Sequence, residues 1–315
     1  MTISKKPLSI NFLGIPLDLG AENLGTDFAP NALRRLRVIE KLKSIGLEVL
    51  DSGDVAVNQK DKLEVGDSKI KYVEEIIRVC NETAKKVDAI LIKKEKALAI
   101  GGDHSISLGT ISGAAVSLKG NLGVIYLDTH GDINTDKTTP SGNIHGMHVA
   151  SVLGIGNSKL VNVYKKGAKV KKQNIILAGG NDFDKAEEDL IKKENIKCFT
   201  LMDLLCNGLS PLIKMIDDLN KRVKNIWVSL DLDVIDQVYA PAVGIPNTGG
   251  LTYREIGGVC KYIGQNCNVV GMDAVEYNPL KDKDGKTAEL LIELIAKIFG
   301  SDYSFYTKYI DKNRI

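Results

Sequence analysis

Three short motifs gather the residues able to do chemistry: GGDHS (101–105), DTHGD (128–132) and SLDLDVID (229–236). They carry His104, Asp128, His130, Asp132, Asp231, Asp233 and Asp236, and the remaining histidines, His145 and His148, follow in one nearby segment. Each motif ends an apolar run. Along an extended chain residues two apart point to the same side, so Asp128, His130 and Asp132 share a face if the strand continues, as do Asp231 and Asp233. Four carboxylates brought that close repel one another. Two divalent cations balance the four charges, and neutral imidazoles fill the remaining positions. Oxygen-rich ligation with some imidazole and no thiolate favours Mn2+ over a structural zinc site. Two such ions lower the pKa of a bridging water, which points to hydrolysis.

Taken singly, each motif also has a plainer reading. GGDHS suits a strand-to-helix turn with Asp103 or Ser105 as the helix cap. DTHGD suits a solvated loop, and DLDVID suits a calcium-type or phosphatase acid cluster. It is their joint presence at the ends of separate strands that favours a metal centre.

Those strands are eight buried apolar runs: INFLGIP, LEVLDSG, ALAIGGD, LGVIYLD, IILAGG, IKCFTL, IWVSLD and VVGMDAVE. Stretches with helical spacing, such as 67–94, 210–224 and 284–299, lie between most of them. The alternation predicts an α/β three-layer sandwich, a mostly parallel sheet of about eight strands flanked by helices. No linker or repeat interrupts it, so one domain over 1–315 is expected. Ligands of such sheets gather at the carboxyl ends of the strands, where His104, Asp128, Asp231 and Glu276 all fall. A net charge of +2 from 42 basic and 40 acidic residues argues against nucleic acid or anionic membrane as partners. The apolar run near the N-terminus is too brief for a secretory signal and no run is long enough to span a bilayer, so a cytoplasmic protein is expected. Cys80, Cys198, Cys206, Cys260 and Cys267 are scattered without a CxxC pair and read as free thiols.

Together the motifs resemble the ureohydrolase family, the binuclear manganese enzymes that include arginase, agmatinase and formimidoylglutamase. The resemblance runs from GIPLDLGAENLGTDFAPNALR through the three metal motifs to GGLTYRE and DAVEYNP. It implies one manganese on His104, Asp128, Asp132 and Asp231, and another on His130, Asp128, Asp231 and Asp233, with Asp128 and Asp231 bridging. Asp236 is outside the family ligand set and is expected to cap or hold the following loop. The segment DINTDKTTPSGNIHGM resembles the arginase pattern, which implies that Asn134, Thr139, Ser141 and Asn143 recognise the amino-acid end of L-arginine. Neutral donors in fixed positions suit a carboxylate without excess positive charge. GGNDFDKAEE resembles the arginase segment facing the α-amino group, making Asp184 a direct acceptor and Glu187 a water-mediated one. The turn-forming TTPSGN and an ordinary helix start at Asp184 and Glu187 are the plainer alternatives. By the same resemblance His145 shuttles protons, Glu276 binds the guanidinium and Asp132 passes a proton to the departing amine. A metal-bridging hydroxide then yields L-ornithine and urea, in a homo-oligomer expected to be a trimer or hexamer.

The chain departs from the family pattern at four places. His148 replaces a usual Pro and reads as a helix-start residue or a group behind the ligands. Ile245 stands where a Thr is frequent, Gln237 where a Pro is usual, and Asn181 where an Arg is common. The rival functions are another guanidino or amidino hydrolase, agmatinase first among them, and a non-catalytic metal-binding scaffold.

Overall fold

Every one of the eight apolar runs is a strand. In the computed structural model, which describes residues 9–301, they are β1 (Ile10–Ile15), β2 (Val49–Asp54), β3 (Lys96–Gly101), β4 (Gly123–Leu127), β5 (Ile175–Gly180), β6 (Lys197–Thr200), β7 (Ile226–Asp231) and β8 (Val269–Val275). The C-terminal stretch YTKYIDKNRI lies outside the described residues. The strands form one sheet in the order β2-β1-β3-β8-β7-β4-β5-β6, and each neighbouring pair runs parallel. Parallel pairing requires crossovers, and helices supply them on both faces.

Alternation along the strands feeds two cores. On β4, Ile125 and Leu127 pack into one layer with Leu212, Ile216, Ile256 and Leu291 of the helices Ser210–Arg222, Tyr253–Asn266 and Lys286–Ile298. Val124 and Tyr126 face the other layer with Val79, Val87 and Ile111 of the helices Val73–Ile92 and Ser107–Ser117. Helical spacing was expected from residue 67, but the helix begins at Val73 because the preceding residues form turns. A backbone bond from Tyr72 N to Val65 O closes those turns, and one from Lys71 N to Gly142 O holds them against the 134–143 loop.

The strand order matters for chemistry. After β3 the chain skips two places before laying down β4, and β7 and β8 later fill the gap. The carboxyl ends of the four central strands therefore converge on one crevice, the position where parallel sheets gather ligands.

Neither β4 nor β7 continues through its acidic motif, contrary to the alternation expected there. β4 stops at Leu127, and after Asp231 the chain enters a 3-10 turn, Leu232–Val234. The cause is one local bond used three times. Asp103 Oδ1 accepts from Ser105 N (2.8 Å), Asp128 Oδ1 from His130 N (2.7 Å) and Asp231 Oδ1 from Asp233 N (2.9 Å). An aspartate that binds the backbone two residues on turns the chain away from the ladder. The turn, rather than strand pleat, brings the acids together.

Close backbone approach fixes the first of these turns. A Cβ added to Gly102 would lie 1.9 Å from Leu17 O, while Asp103 N donates to that carbonyl at 2.7 Å. Gly102→Ala must push the two loops apart, and a clash with backbone has no side chain to yield. We expect the variant's Tm to fall by roughly 5 °C or more in scanning calorimetry. An unchanged Tm would mean that the two loops are not in contact.

Candidate metal centre

His104 opens the 3-10 turn His104–Ile106 after β3, capped by Asp103, so the plainer capping role of GGDHS is also met. Its buried ring meets three carboxylates: Nδ1 lies 3.0 Å from Asp128 Oδ2, 3.1 Å from Asp231 Oδ2 and 3.3 Å from Asp132 Oδ2. On the other side, His130 Nδ1 lies 3.0 Å from Asp233 Oδ2 and 3.5 Å from Asp128 Oδ1. Asp128 thus faces the two groups with different oxygens. Asp231 joins the first group through Oδ2, and its Oδ1 takes the Asp233 amide.

The charges of the cluster act strongly on one another: against the effect of burial, the carboxylates push the His104 and His130 imidazoles well above their usual range, and both imidazoles hold the Asp128 carboxyl below its own. Burial, then Asp233 and Asp128, push the Asp231 carboxyl well above the usual range; burial and Asp128 push Asp233 up to about 7. Carboxylates so arranged need a compensating cation. Donor atoms about 3 Å apart are also spaced as neighbouring ligands around one ion with bonds of about 2.0–2.3 Å. The residues fit a pair of hard or borderline divalent ions, and all four acids and both imidazoles expected from the sequence are brought together.

Glu276 follows β8 and is buried; its Oε1 accepts from His104 N at 3.1 Å and lies 3.4 Å from His145 Nδ1. Burial lowers the His145 pKa, but the hydrogen bond and charge of Glu276 outweigh it and raise the group to about 9. Asp132 and Glu276 both adopt left-handed backbone, at φ 46° and 63°. They are two of eight such non-glycine residues among the described ones, in a conformation uncommon for residues with a Cβ.

The 134–143 loop closes beside this cluster, with Asn134 N bonded to Gly146 O. Asn134 Nδ2 donates to Asp184 Oδ2 at 2.7 Å, which joins the residues expected at the two ends of an amino-acid head group. Thr139 Oγ1 accepts from Gly142 N and Ser141 Oγ from Asn143 N, so the turn-forming role of this segment is met too. Asp184 and Glu187 form a capping box on the helix Lys185–Glu194, and Glu187 Oε1 also accepts from Ile133 N at 3.2 Å. The helix-start role therefore coexists with placement at the site.

Several neighbours were not singled out from the sequence. Lys71 Nζ donates to Asn143 Oδ1 and Lys69 Nζ to Thr139 O, each at 3.2 Å, so the loop expected to rely on neutral donors has two ammonium groups beside it. Ser229 and Asp273 stand behind His104, and Tyr126 beside it. His148 opens the helix His148–Val152, and its buried ring lies 4.3 Å from that of His104, which satisfies both roles considered for it. Asp236 accepts from Val238 N and Gly249 N, holding the following loop as expected. Gln237 bonds Thr248, Asn181 N bonds Thr129 O, and Ile245 is 43% exposed.

The family model described as "Arginase family" matches residues 8–300. The chain belongs to the arginase family. It is an arginase-type hydrolase of guanidino carbon–nitrogen bonds. It is 37% identical to the arginase of Brevibacillus brevis over 293 residues, covering 93% of this chain and 98% of that relative. The solved arginase of Bacillus caldovelox superposes with a TM-score of 0.90 at 35% identity, covering 94% of this chain and all of the other. The formimidoylglutamase of Bacillus subtilis is more distant, with a TM-score of 0.75 at 25% identity, covering 95% of this chain and 90% of that one. The fold is thus shared with proteins of more than one activity, and the Brevibacillus and Bacillus caldovelox arginases stand nearer to this chain in sequence than that formimidoylglutamase does.

Because Asp128 faces both groups, its loss should affect both positions. Asp128→Ala, loaded with Mn2+ and freed of excess, should retain much less than two ions per subunit by elemental analysis. Two tightly held ions in that variant would rule out the assigned cluster.

Proposed function

We propose that the chain hydrolyses the guanidinium of L-arginine to L-ornithine and urea, with two Mn2+ ions held by His104, Asp128, Asp132 and Asp231 and by His130, Asp128, Asp231 and Asp233. The observation that carries this choice over other ureohydrolase activities is the Asn134–Asp184 contact beside the cluster. An α-amino acid presents a carboxylate and an ammonium on one carbon, and this junction sets amide and hydroxyl donors next to an anion. A substrate without the carboxylate has no use for that pairing. The 35–38% identity to arginases supports the same choice.

Asn134, Thr139, Ser141 and Asn143 receive the substrate carboxylate, while Asp184 accepts from the α-amino group and Glu187 supports it through water. Glu276 orients the guanidinium by a charge-assisted, bidentate contact, placing its carbon over the acidic cluster. When bound, the two divalent ions make a water acidic enough to act as a nucleophile near neutral pH. Asp132 carries a proton to the departing amine. His145, with 20% of its side chain exposed, connects the buried site to bulk water. With a pKa raised to about 9 it holds a proton at neutral pH and loses it as pH rises past that value. The proposal extends to a single ureohydrolase domain acting in the cytoplasm as a homo-oligomer, trimeric or hexameric, with neither nucleic acid nor membrane as partner. Among the described residues no helix is long and apolar enough to cross a membrane.

The purified protein loaded with Mn2+ should release urea from L-arginine, much less from agmatine, and none after chelation. Equal rates on both substrates would move the specificity away from the polar loop, and no urea from either would favour another amidine substrate or a non-catalytic scaffold. His145→Ala should keep both ions and lower kcat roughly 100-fold, the size of a positioned acid–base contribution. Retained wild-type turnover would remove the shuttle role.

A further inference from the structure

The turns before the helix Val73–Ile92 press closely against the 134–143 loop. Lys71 N donates to Gly142 O at 3.0 Å, and a Cβ added to Gly142, whose φ is 76°, would lie 1.9 Å from Ser68 O. Side chains extend the contact: Lys71 Nζ donates to Asn143 Oδ1 and Lys69 Nζ to Thr139 O, each at 3.2 Å. Residues 68–71 therefore back the part of the loop assigned to the substrate carboxylate.

The hydrogens of that stretch can be followed one by one. A lysine ammonium only donates, so Lys71 occupies the acceptor end of the Asn143 amide and turns Nδ2, with its hydrogens, the other way. Asn143 is buried, and among the described residues its Nδ2 has no hydrogen-bond partner. The hydroxyls of Thr139 and Ser141 accept from Gly142 N and Asn143 N, and among the described residues neither passes its own hydrogen on. A buried amide donor left unspent calls for an acceptor. Charge points the same way. Among the described residues neither Lys69 nor Lys71 forms an ion pair, whereas Lys159 and Lys172 sit on Glu74 and Glu194. Uncompensated ammonium groups behind free donors suit an anionic ligand.

We propose that Lys71 is a positioning residue that selects substrates bearing an α-carboxylate: its ammonium fixes the Asn143 amide with Nδ2 toward the substrate and supplies the positive charge that the neutral donors lack. The proposal rests on the arginine reading above. Lys71 bonds to Asn143 and to none of the acidic cluster, so it acts on substrate and transition state alike. Such an interaction shows in KM rather than in kcat. A hydrogen bond from a charged group corresponds to a change in affinity of about 10-fold.

The test is steady-state kinetics on L-arginine for Mn2+-loaded wild type, Lys71→Met, Lys71→Arg, Asn143→Ala and the double variant Lys71→Met with Asn143→Ala. Inhibition by L-ornithine is measured beside inhibition by 1,4-diaminobutane, which lacks the carboxylate. Met keeps the side-chain stem and the backbone bond to Gly142. In Lys71→Met the KM for L-arginine and the inhibition constant of L-ornithine should each rise about 10-fold, with kcat and the diaminobutane constant within about twofold. Lys71→Arg, which keeps the charge and a donor, should restore most of the loss. The double variant should lose less than the product of the two single losses, because the lysine acts through that amide. An unchanged KM in Lys71→Met, a fall in kcat alone, equal weakening of both inhibitors, or single losses that simply multiply would each overturn the proposal. If Lys71→Met does not fold, Lys71→Gln, which lacks the charge, is judged by the same rise in KM at constant kcat. Wild type that releases no urea from L-arginine overturns the arginine reading itself, and the proposal with it.

Discussion

Like-charge crowding is the constraint on which the rest of this structure depends. Asp128, Asp132, Asp231 and Asp233 converge where little water reaches them, and burial there penalises each charge. A fold tolerates this only if something positive arrives. The neighbouring groups can be understood as preparation for it: imidazole nitrogens and aspartate oxygens turn inward together, and Asp273 with four donors stabilises the layer behind.

Topology supplies the convergence. No single segment could bring six ligands to one place, but the order β3-β8-β7-β4 gathers them from the carboxyl ends of three strands, one after β3, three after β4 and two at the end of β7. Substrate selection is assigned to a different kind of structure, the 134–143 loop, which is tied down by side chains such as Asn134 and Lys71. On the proposed assignment, metal-binding chemistry sits at the sheet edge, and the means of choosing a substrate sits in a loop segment.

Much of this was legible in the sequence because the signals were local. Apolar runs broken by Gly and Asp located all eight strands, and the ligand motifs fell at their ends. What alternation misjudged was the path after β4 and β7, where Asp128 and Asp231 bind backbone amides two residues on and end the ladder. Tyr126, Lys71, Ser229 and Asp273 escaped notice for another reason. A tyrosine in a strand, a lysine before a helix or a buried aspartate acquires its role from partners far away in the chain, as with Ser107 and Asp273, 166 residues apart. His148 was ambiguous because it opens a helix and also backs a ligand.

The left-handed backbone at Asp132 and Glu276 sets stability and chemistry against each other at the same residues. Such conformations cost about 1–3 kcal/mol each, and glycine or asparagine occupies them most comfortably. Either replacement would relax the chain while deleting a carboxylate the site needs. Selection for a sturdier fold would thus drift toward an inert protein, so engineering for thermostability should leave these two positions strained.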